Sequence, residues 1–420
     1  MINVTKLLCG SPQPADALRY GEGADAPAQA SLRKPVVVWN ITRRCNLKCV
    51  HCYSDSTSRH YPGELTLEQS IRVIDDLARY QVPALLLSGG EPMIHPRFFD
   101  LASYAVSRGI RVTVSTNGTR IDSSAATRLK DLGITYVGIS LDGIGPVHDR
   151  FRGRTGAFQK AVEAFRHCRG AGQKVGLRLT LTRQTVGQLA EILSFIEKEE
   201  IPRVCFYHLV SSGRGADLGL VPAAESRAAL RMIGDAVVRW NRDGIHREVL
   251  TVDQPADGPF YWMLARRRDP ERADEIWKLL EWNGGGRHAS GLGISNIDSQ
   301  GNVHPDQFWQ TYTLGNVKRK AFSEIWDNGR NDPLLSGLRD RLPRLEGRCA
   351  TCRFQEVCGG GFRVRAFQKY GNPWAEDPGC YLRDYEILRP SGTAAETQRS
   401  RQRPSPTLRT SMRTGVRPAL

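Results

Sequence analysis

The sequence lacks any apolar run that approaches the length of a membrane span. A membrane-spanning helix needs about 20 consecutive apolar residues, so we expect neither a transmembrane segment nor a membrane partner. The segment Leu7-Leu8-Cys9-Gly10 faintly resembles a lipoprotein site, but no apolar stretch of signal-peptide type precedes it. We therefore expect no export, and we predict a cytoplasmic protein.

Acidic residues are fewer than basic ones: the sequence has 44 Asp and Glu and 59 Lys and Arg, which gives a net charge of +15. Such a balance suits an anionic partner, whether nucleic acid, an acidic surface or a polycarboxylate. Residues 391–420 hold six Arg and one Glu, so part of the excess belongs to this end. Its composition cannot bury enough apolar area to offset the entropy of ordering, which predicts a disordered tail.

The sequence has ten cysteines, and seven of them fall into two clusters, so cysteine is scarce elsewhere. Clustered spacing without an export signal favours metal binding in a reducing compartment over disulfides. The first cluster, Cys45, Cys49 and Cys52, has the spacing C-x3-C-x2-C and follows the apolar run 36–39. Thiolates favour zinc or iron–sulfur clusters, and three of them leave one iron of a cubane without a protein ligand. Structural zinc, with His51 as the fourth ligand, is the alternative.

Six strand–helix units follow one another in the first half of the chain. The predicted strands are 36–39, 84–87, 111–115, 136–140, 175–181 and 203–209. Regular alternation of this kind predicts a parallel sheet in an α/β fold. The polar motifs follow directly after strands, and the carboxyl ends of parallel strands form the working face of such folds.

The cysteine loop, followed one strand later by Gly89-Gly90-Glu91, resembles the radical S-adenosylmethionine (SAM) enzymes. The resemblance implies a partial (β/α)6 TIM-like barrel and a [4Fe–4S] cluster on the three cysteines. Its open iron would chelate SAM, which on reduction gives a 5′-deoxyadenosyl radical. Here His51 stands where the family usually has an aromatic residue.

Further SAM contacts follow from the same resemblance. The two glycines would let the ligand approach the backbone, and Glu91 would accept hydrogen bonds from the ammonium group of SAM. Asn117 and Ser140, which follow the third and fourth strands, would contact its ribose and methionine parts. Turn or cap chemistry is the alternative role for Asn117 and Ser140.

The second cluster has the spacing C-x2-C-x5-C-x21-C and consists of Cys349, Cys352, Cys358 and Cys380. It resembles one half of the SPASM extension of radical SAM enzymes, which holds auxiliary clusters. Thiolates expected near His304-Pro305-Asp306 and near Phe362 are missing, so we infer one auxiliary [4Fe–4S] cluster and two clusters in all. A zinc ribbon is the alternative, and an oxygen ligand from Asp306 to a metal stays open.

These features divide the chain into five parts. They are a mobile N-terminal arm (1–34), a radical SAM partial barrel (35–215), a helical connector (216–290), a small SPASM- or twitch-like iron–sulfur domain (291–389) and a disordered basic tail (390–420).

Four longer stretches are similar to radical SAM enzymes of heme d1 biosynthesis: 206–215, 282–286, 302–309 and 371–378. The resemblance implies a tetrapyrrole substrate of the didecarboxysiroheme type, modified on its propionate side chains. A propionate C–H is not acidic, so a carbon radical suits it better than a base. Candidate substrate contacts are His208, Arg214, His288 and His304, of which His208 is also a catalytic candidate.

We expect a monomer that draws electrons from an external donor such as ferredoxin or flavodoxin and does not bind nucleic acid. Two alternatives stay within the superfamily: an enzyme of siroheme-route heme synthesis and a peptide-modifying maturase. A third, from another class, is a zinc-binding nucleic-acid adaptor. The six-unit sheet and the motif after its second strand would have no purpose in such an adaptor.

Overall fold

The computed structural model describes residues 1–12, 16 and 34–388; the predicted tail and most of the predicted arm lie outside the described residues. The described residues form one sheet of eleven strands, in the order β1-β8-β7-β6-β5-β4-β3-β2-β9-β10-β11. The strands are β1 (Ile2–Asn3), β2 (Val36–Thr42), β3 (Leu85–Gly89), β4 (Val112–Thr116), β5 (Tyr136–Ser140), β6 (Val175–Leu181), β7 (Arg203–His208), β8 (Glu248–Val252), β9 (Ile294–Ile297), β10 (Asn302–His304) and β11 (Gly315–Asn316).

Most of the longer helices lie between consecutive parallel strands. The α-helices within the described residues are α1 (Val4–Cys9), α2 (Leu67–Arg79), α3 (Phe98–Ser107), α4 (Ser123–Asp131), α5 (Pro146–Arg152), α6 (Ala157–Gly170), α7 (Arg183–Val186), α8 (Leu189–Lys198), α9 (Ala223–Arg242), α10 (Asp257–Arg266), α11 (Pro270–Asn283), α12 (Phe322–Asn328), α13 (Pro333–Arg339), α14 (Gly347–Thr351), α15 (Gln355–Cys358), α16 (Arg363–Tyr370) and α17 (Asp384–Ile387).

Strands β2 to β8 run parallel, each beside its predecessor in the chain. Their apolar side chains are buried, as at Val37, Leu85 and Val137, because helices cover the outside of the sheet. The six predicted strands are all present, and the predicted α/β fold with a parallel sheet is confirmed.

Local sequence signals account for many of the helix ends. The capping box at Thr66 is formed: its Oγ1 accepts from Gln69 N at 3.2 Å, and Gln69 Oε1 accepts from Thr66 N at 2.9 Å. Residues 257–283 form two helices, α10 and α11, because Asp269 caps a new start at Pro270. Residues 183–198 likewise hold two helices, α7 and α8.

Two of the expected boundaries need correction. The connector 216–290 is not purely helical, because it contains β8, which pairs with β7 through Val204 and Val249. Residues 2–9 are not part of a mobile arm: β1 pairs antiparallel with β8, and the apolar side chains of Val4 and Leu7 are fully buried. Burial of these side chains outweighs the cost of ordering the segment.

The C-terminal part begins on the sheet. Strand β9 pairs parallel with β2, and β10 and β11 continue as antiparallel hairpins. Short helices then carry the second group of cysteines. Across residues 1–12 and 34–388, no helix combines the length and the apolar character needed to cross a bilayer.

Candidate active site

A cavity opens at the carboxyl ends of the parallel strands. It brings together ten of the residues singled out from the sequence, which are Cys45, Cys49, His51, Cys52, Gly89, Gly90, Asn117, Ser140, His208 and Arg214. The strand order explains this, since the motifs follow β2, β3, β4, β5 and β7, whose ends meet at one edge of the sheet.

Each thiol of the cysteine loop has a hydrogen-bond donor beside it. Leu47 N donates to Cys45 Sγ at 3.4 Å, and Ser56 N donates to Cys52 Sγ at 3.4 Å. The guanidinium of Arg152 donates to Cys49 Sγ at 3.5 Å. Burial raises the pKa of Cys45 to about 12, so its free thiol stays protonated until a metal replaces the proton.

The three cysteine side chains lie on the lining of one cavity. Among the described residues, no group of three or more His, Cys, Asp or Glu side chains is arranged to hold one metal ion. Thiolates bind zinc or the irons of an iron–sulfur cluster, and three of them leave one iron of a cubane without a protein ligand.

His51 belongs to the cysteine loop, and its ring makes few polar contacts. Its ring packs on Phe151 at 4.6 Å, its Nε2 is 3.9 Å from Asp142 Oδ2, and its Nδ1 is buried without a hydrogen-bond partner. Burial lowers the pKa of His51 to about 4, so the ring is neutral at pH 7. This ring contact makes His51 the counterpart of the aromatic residue that radical SAM enzymes usually carry at this position.

A buried ion pair stands beneath the loop. Asp142, fully buried, is bonded to Arg152 and also accepts from Thr180 N at 2.6 Å. Burial alone would raise the pKa of Asp142, but Arg152, His51 and the hydrogen bond from Thr180 N together outweigh it, and the net shift is downward. Arg152 therefore stays charged and holds a positive charge beside Cys49.

The two glycines are required by the protein backbone itself. A Cβ on Gly89 would lie 2.3 Å from Thr42 O, and one on Gly90 would lie 2.2 Å from Arg44 O. This strand end packs directly on the chain entering the cysteine loop, with Gly90 N donating to Thr42 O at 2.8 Å. The glycines thus fix the position of Cys45 as well as lining the cavity.

Glu91 is not among the residues that line the cavity, and its expected contact with the ammonium of SAM stays a prediction. Its carboxylate is fully buried and accepts from Met93 N at 3.0 Å, Thr116 Oγ1 at 2.7 Å and Asn117 N at 2.7 Å. Glu91 ties β3 to β4 and so positions Asn117, which does line the cavity.

Asn117 bridges the cysteine loop and the end of β4. Its Nδ2 donates to Asn46 Oδ1 at 2.9 Å and lies 3.9 Å from Cys45 Sγ, while its Oδ1 accepts from Thr119 N at 2.9 Å. Asn117 therefore both caps the turn after β4 and lines the cavity. Ser140, at the end of β5, also faces the cavity.

The second group of cysteines surrounds its own cavity, lined by Cys349, Cys352, Cys358 and Cys380 together. Burial raises the pKa of Cys380 to about 12, so here too the free thiol is protonated. Four thiols around such a space match the donor set of a complete [4Fe–4S] shell.

Two of the four candidate substrate contacts, His288 and His304, do not line the cavity. His288 Nδ1 donates to the backbone carbonyl of Asn283 at 3.0 Å, and His304 is buried in the hairpin between Tyr312 O and Asp298. Arg214 lines the cavity and also holds the cysteine loop through Cys49 O at 2.8 Å and Ser56 O at 3.0 Å.

Asp306 also has protein partners. Its carboxylate is buried, bonded to Ser290 Oγ, and accepts from Phe308 N at 2.7 Å. Burial raises the pKa of Asp306 to about 6. Its oxygens hold the turn that brings Gln307 and Phe308 into the first cavity.

His208 stands at the wall between the two cavities. Its Nε2 is 3.0 Å from Asp257 Oδ2, and its ring is stacked on Tyr381 at 6.2 Å. Tyr381 follows Cys380 and donates to Asp257 Oδ1 at 2.6 Å. A short chain of hydrogen bonds thus joins the first cavity to the backbone of the second.

Several polar residues of the cavity were not singled out in the sequence, among them Arg152, Arg178 and Asp253. Two of them carried a signal. Arg178 interrupts the apolar run of β6, and Asp253 follows the run Val249–Val252 as the other polar motifs follow their strands. Charged residues seldom occupy a strand interior without a partner or a role.

Two family models match the chain. The model of the radical SAM superfamily matches residues 39–196, and that of SPASM, an iron–sulfur cluster-binding domain, matches residues 291–353. The second match ends before Cys358 and Cys380.

Curated relatives extend the similarity to nearly the whole chain. The Fe-coproporphyrin III synthase of Methanosarcina barkeri is 46% identical over 400 residues, which are 92% of this chain and 99% of the relative. The pre-heme d1 synthase of Dinoroseobacter shibae is 44% identical over 375 residues, 88% of this chain and 91% of that protein.

Solved structures show a similar fold. Streptococcus suis SuiB bound to S-adenosylmethionine has a TM-score of 0.65 and 19% identity, over 89% of this chain and 84% of that one. Native anSMEcpe with bound AdoMet has a TM-score of 0.66 and 18% identity, over 84% of this chain and 94% of that one.

Proposed function

Since the chain belongs to the radical SAM superfamily and carries a SPASM iron–sulfur domain, we propose that it modifies a carboxylate side chain of an iron tetrapyrrole. The substrate that we propose is of the didecarboxysiroheme type, and the reaction is the propionate chemistry of heme d1 biosynthesis. Identity of 44% to a pre-heme d1 synthase over 88% of the chain supports this choice.

One observation carries the proposal: the three-cysteine loop and several cationic side chains share a single cavity at the strand ends. Cys45, Cys49 and Cys52 would hold the SAM-binding cluster, which on reduction supplies a 5′-deoxyadenosyl radical. The protein's own part is to shield that radical and to hold the substrate near it. The cavity lining includes three arginines, Arg152, Arg178 and Arg214. Arg152 is already paired with Asp142, so Arg178 and Arg214 are the charges that a substrate with several carboxylates would meet.

The cluster count is part of the proposal. We assign one [4Fe–4S] cluster to each cysteine group, and four thiols in one cavity support the second assignment. Replacing Cys45, Cys49 and Cys52 by Ala should remove about half of the iron, abolish SAM cleavage and leave the second cluster's absorbance. SAM cleavage retained by this triple variant would contradict the assignment.

The substrate is tested by anaerobic incubation with didecarboxysiroheme, SAM and a reductant, followed by mass spectrometry of the tetrapyrrole. Co-migration of the product with pre-heme d1 is the expected result. An unchanged tetrapyrrole in the presence of active SAM cleavage would refute a tetrapyrrole substrate and favour peptide modification.

Siroheme-route heme synthesis is the second candidate, because the 46% identity to an Fe-coproporphyrin III synthase spans 99% of that relative. The same assay separates the two, since this reaction would yield Fe-coproporphyrin III. In either case we propose a cytoplasmic monomer that receives electrons from a ferredoxin or flavodoxin. A reducing compartment suits the clustered thiols.

A further inference from the structure

One wall of the cavity is formed by β6, β7 and β8 and is remote in the sheet from the cysteine loop. Asn117 and Ser140 lie at β4 and β5, next to the loop that follows β2. Arg178, Tyr207 and Asp253 lie at the other edge, on or directly after β6, β7 and β8. The segment after β7 also contacts the cysteine loop through Arg214, so a ligand on this wall would lie within reach of that loop.

Arg178 is a cation without a partner in the described part of the chain. Its guanidinium lies over the ring of Tyr207, 4.6 Å from the ring centre, and forms no hydrogen bond or ion pair there. The neighbouring strand makes room for its stem, since a Cβ on Gly138 would lie 2.5 Å from Arg178 Cδ. By contrast, Arg152 is paired with Asp142. Arg178 is therefore free to bind an anion.

Asp253 is strained and incompletely bonded. Its backbone is left-handed, with φ of 65°, which costs a residue with a Cβ on the order of 1 kcal/mol. Its Oδ2 is buried and has no hydrogen-bond partner among the described residues. Burial, reinforced by Asp306, raises the pKa of Asp253 to about 6, whereas Arg365 and Arg178 lower it. A buried carboxyl group with a raised pKa, and with one oxygen that lacks a hydrogen-bond partner, is suited to contact with a ligand.

We propose that Arg178 and Asp253 form a receiving site for one side-chain carboxyl of the tetrapyrrole, with Arg178 donating to the carboxylate and Asp253 sharing a proton with it. The Tyr207 ring, which lies between the two strands that bear them, forms the floor. The inference rests on the proposed tetrapyrrole substrate and assigns its carboxyl end to the β6–β8 wall. The rest of the substrate would then extend toward the radical.

The test is a binding measurement that needs no turnover. Didecarboxysiroheme is titrated into the cluster-loaded protein under anaerobic conditions and followed by its absorbance, while SAM affinity is measured separately by equilibrium dialysis. Arg178→Gln should weaken tetrapyrrole binding about 10- to 100-fold, the loss typical of a charge-assisted hydrogen bond, and leave SAM affinity unchanged. The matched control is Arg72→Gln, on the exposed face of α2, which should change neither.

Two further probes isolate the carboxyl. Asp253→Asn keeps a hydrogen-bond donor and should stay within about threefold of the wild type, whereas Asp253→Leu should lose about tenfold. Substrate esterified at its carboxyls should bind Arg178→Gln and wild type equally. Iron content and the thermal midpoint show whether each variant is folded.

Each outcome decides one question. If the wild type does not bind the tetrapyrrole, the proposed function fails. If the wild type binds it and both Arg178→Gln and Asp253→Leu bind it equally well, this inference fails alone. Weaker SAM binding by Arg178→Gln, with tetrapyrrole binding intact, would assign Arg178 to the SAM site and likewise overturn the inference.

Discussion

The ion pair between Arg365 and Asp377 offers the sharpest test of how the second cysteine cavity is held. Both side chains are about 1% exposed. Asp377 accepts from Arg365 Nε at 2.9 Å and Nη2 at 2.8 Å, from Phe362 N at 2.7 Å and from Gly379 N at 2.9 Å. The carboxylate thus binds the backbone on both sides of the cavity.

Asp377→Asn keeps the size of the side chain and removes its charge. Breaking a buried pair by removing one partner costs about 3–5 kcal/mol, because the other charge is left uncompensated. Here Asp253 and Asp257 also interact with Arg365 and remain, so we expect the lower end, about 3 kcal/mol of unfolding free energy. Weaker side-chain contacts to Phe362 N and Gly379 N should let this backbone shift, and Cys380, whose N–H donates to the backbone carbonyl of Asp377 at 3.0 Å, should shift with it.

The measurement is urea unfolding of anaerobically purified protein, together with iron and sulfide content. The control is Asp384→Asn, because Asp384 pairs with Arg348 at 2.8 Å but is 77% exposed. An exposed pair contributes about 0–1 kcal/mol, so this variant should keep its iron and its midpoint. An Asp377→Asn variant that matches the control in both readouts would refute the reasoning.

Three further outcomes are expected. Gly90→Ala should lose iron from the first cluster alone, because the added Cβ would lie 2.2 Å from the backbone oxygen of Arg44, next to Cys45. The control is Gly170→Ala, whose added Cβ would meet no neighbouring atom within 4 Å, and this variant should keep both clusters. Glu91→Gln should lower the unfolding free energy by about 1.5–3 kcal/mol in urea, since an amide cannot accept at both ends. Burial lowers the pKa of His148 to about 4 in the folded chain. As the pH falls below about 6.5, His148 becomes protonated in the unfolded chain but stays neutral in the folded chain, which lowers the free energy of unfolding. Near pH 5.5 this should remove about 1 kcal/mol of stability. His51, whose pKa is also about 4, adds a similar loss that remains in His148→Gln, so the variant should lose about half as much stability as the wild type.

The seven clustered cysteines, the six strand–helix units and the two glycines were readable because each depends on neighbours in the chain. Spacing places three thiols on one loop, and apolar periodicity marks strands and helices without knowledge of the fold. The same local reading failed at β8, because its five residues stood between long helices and were taken as part of a helical connector.

The sequence by itself determined which chemistry the chain can carry, through its cysteine spacing and the motif after the second strand. Only the tertiary structure decided which side chains meet. It turned Glu91 inward, moved His288 and His304 away from the cavity, and brought Arg178 and Asp253 to one wall of it. The reason is that the neighbours of a strand end are set by pairing between residues far apart in the chain, and these pairings decide which polar groups are buried with partners and which are left free to bind.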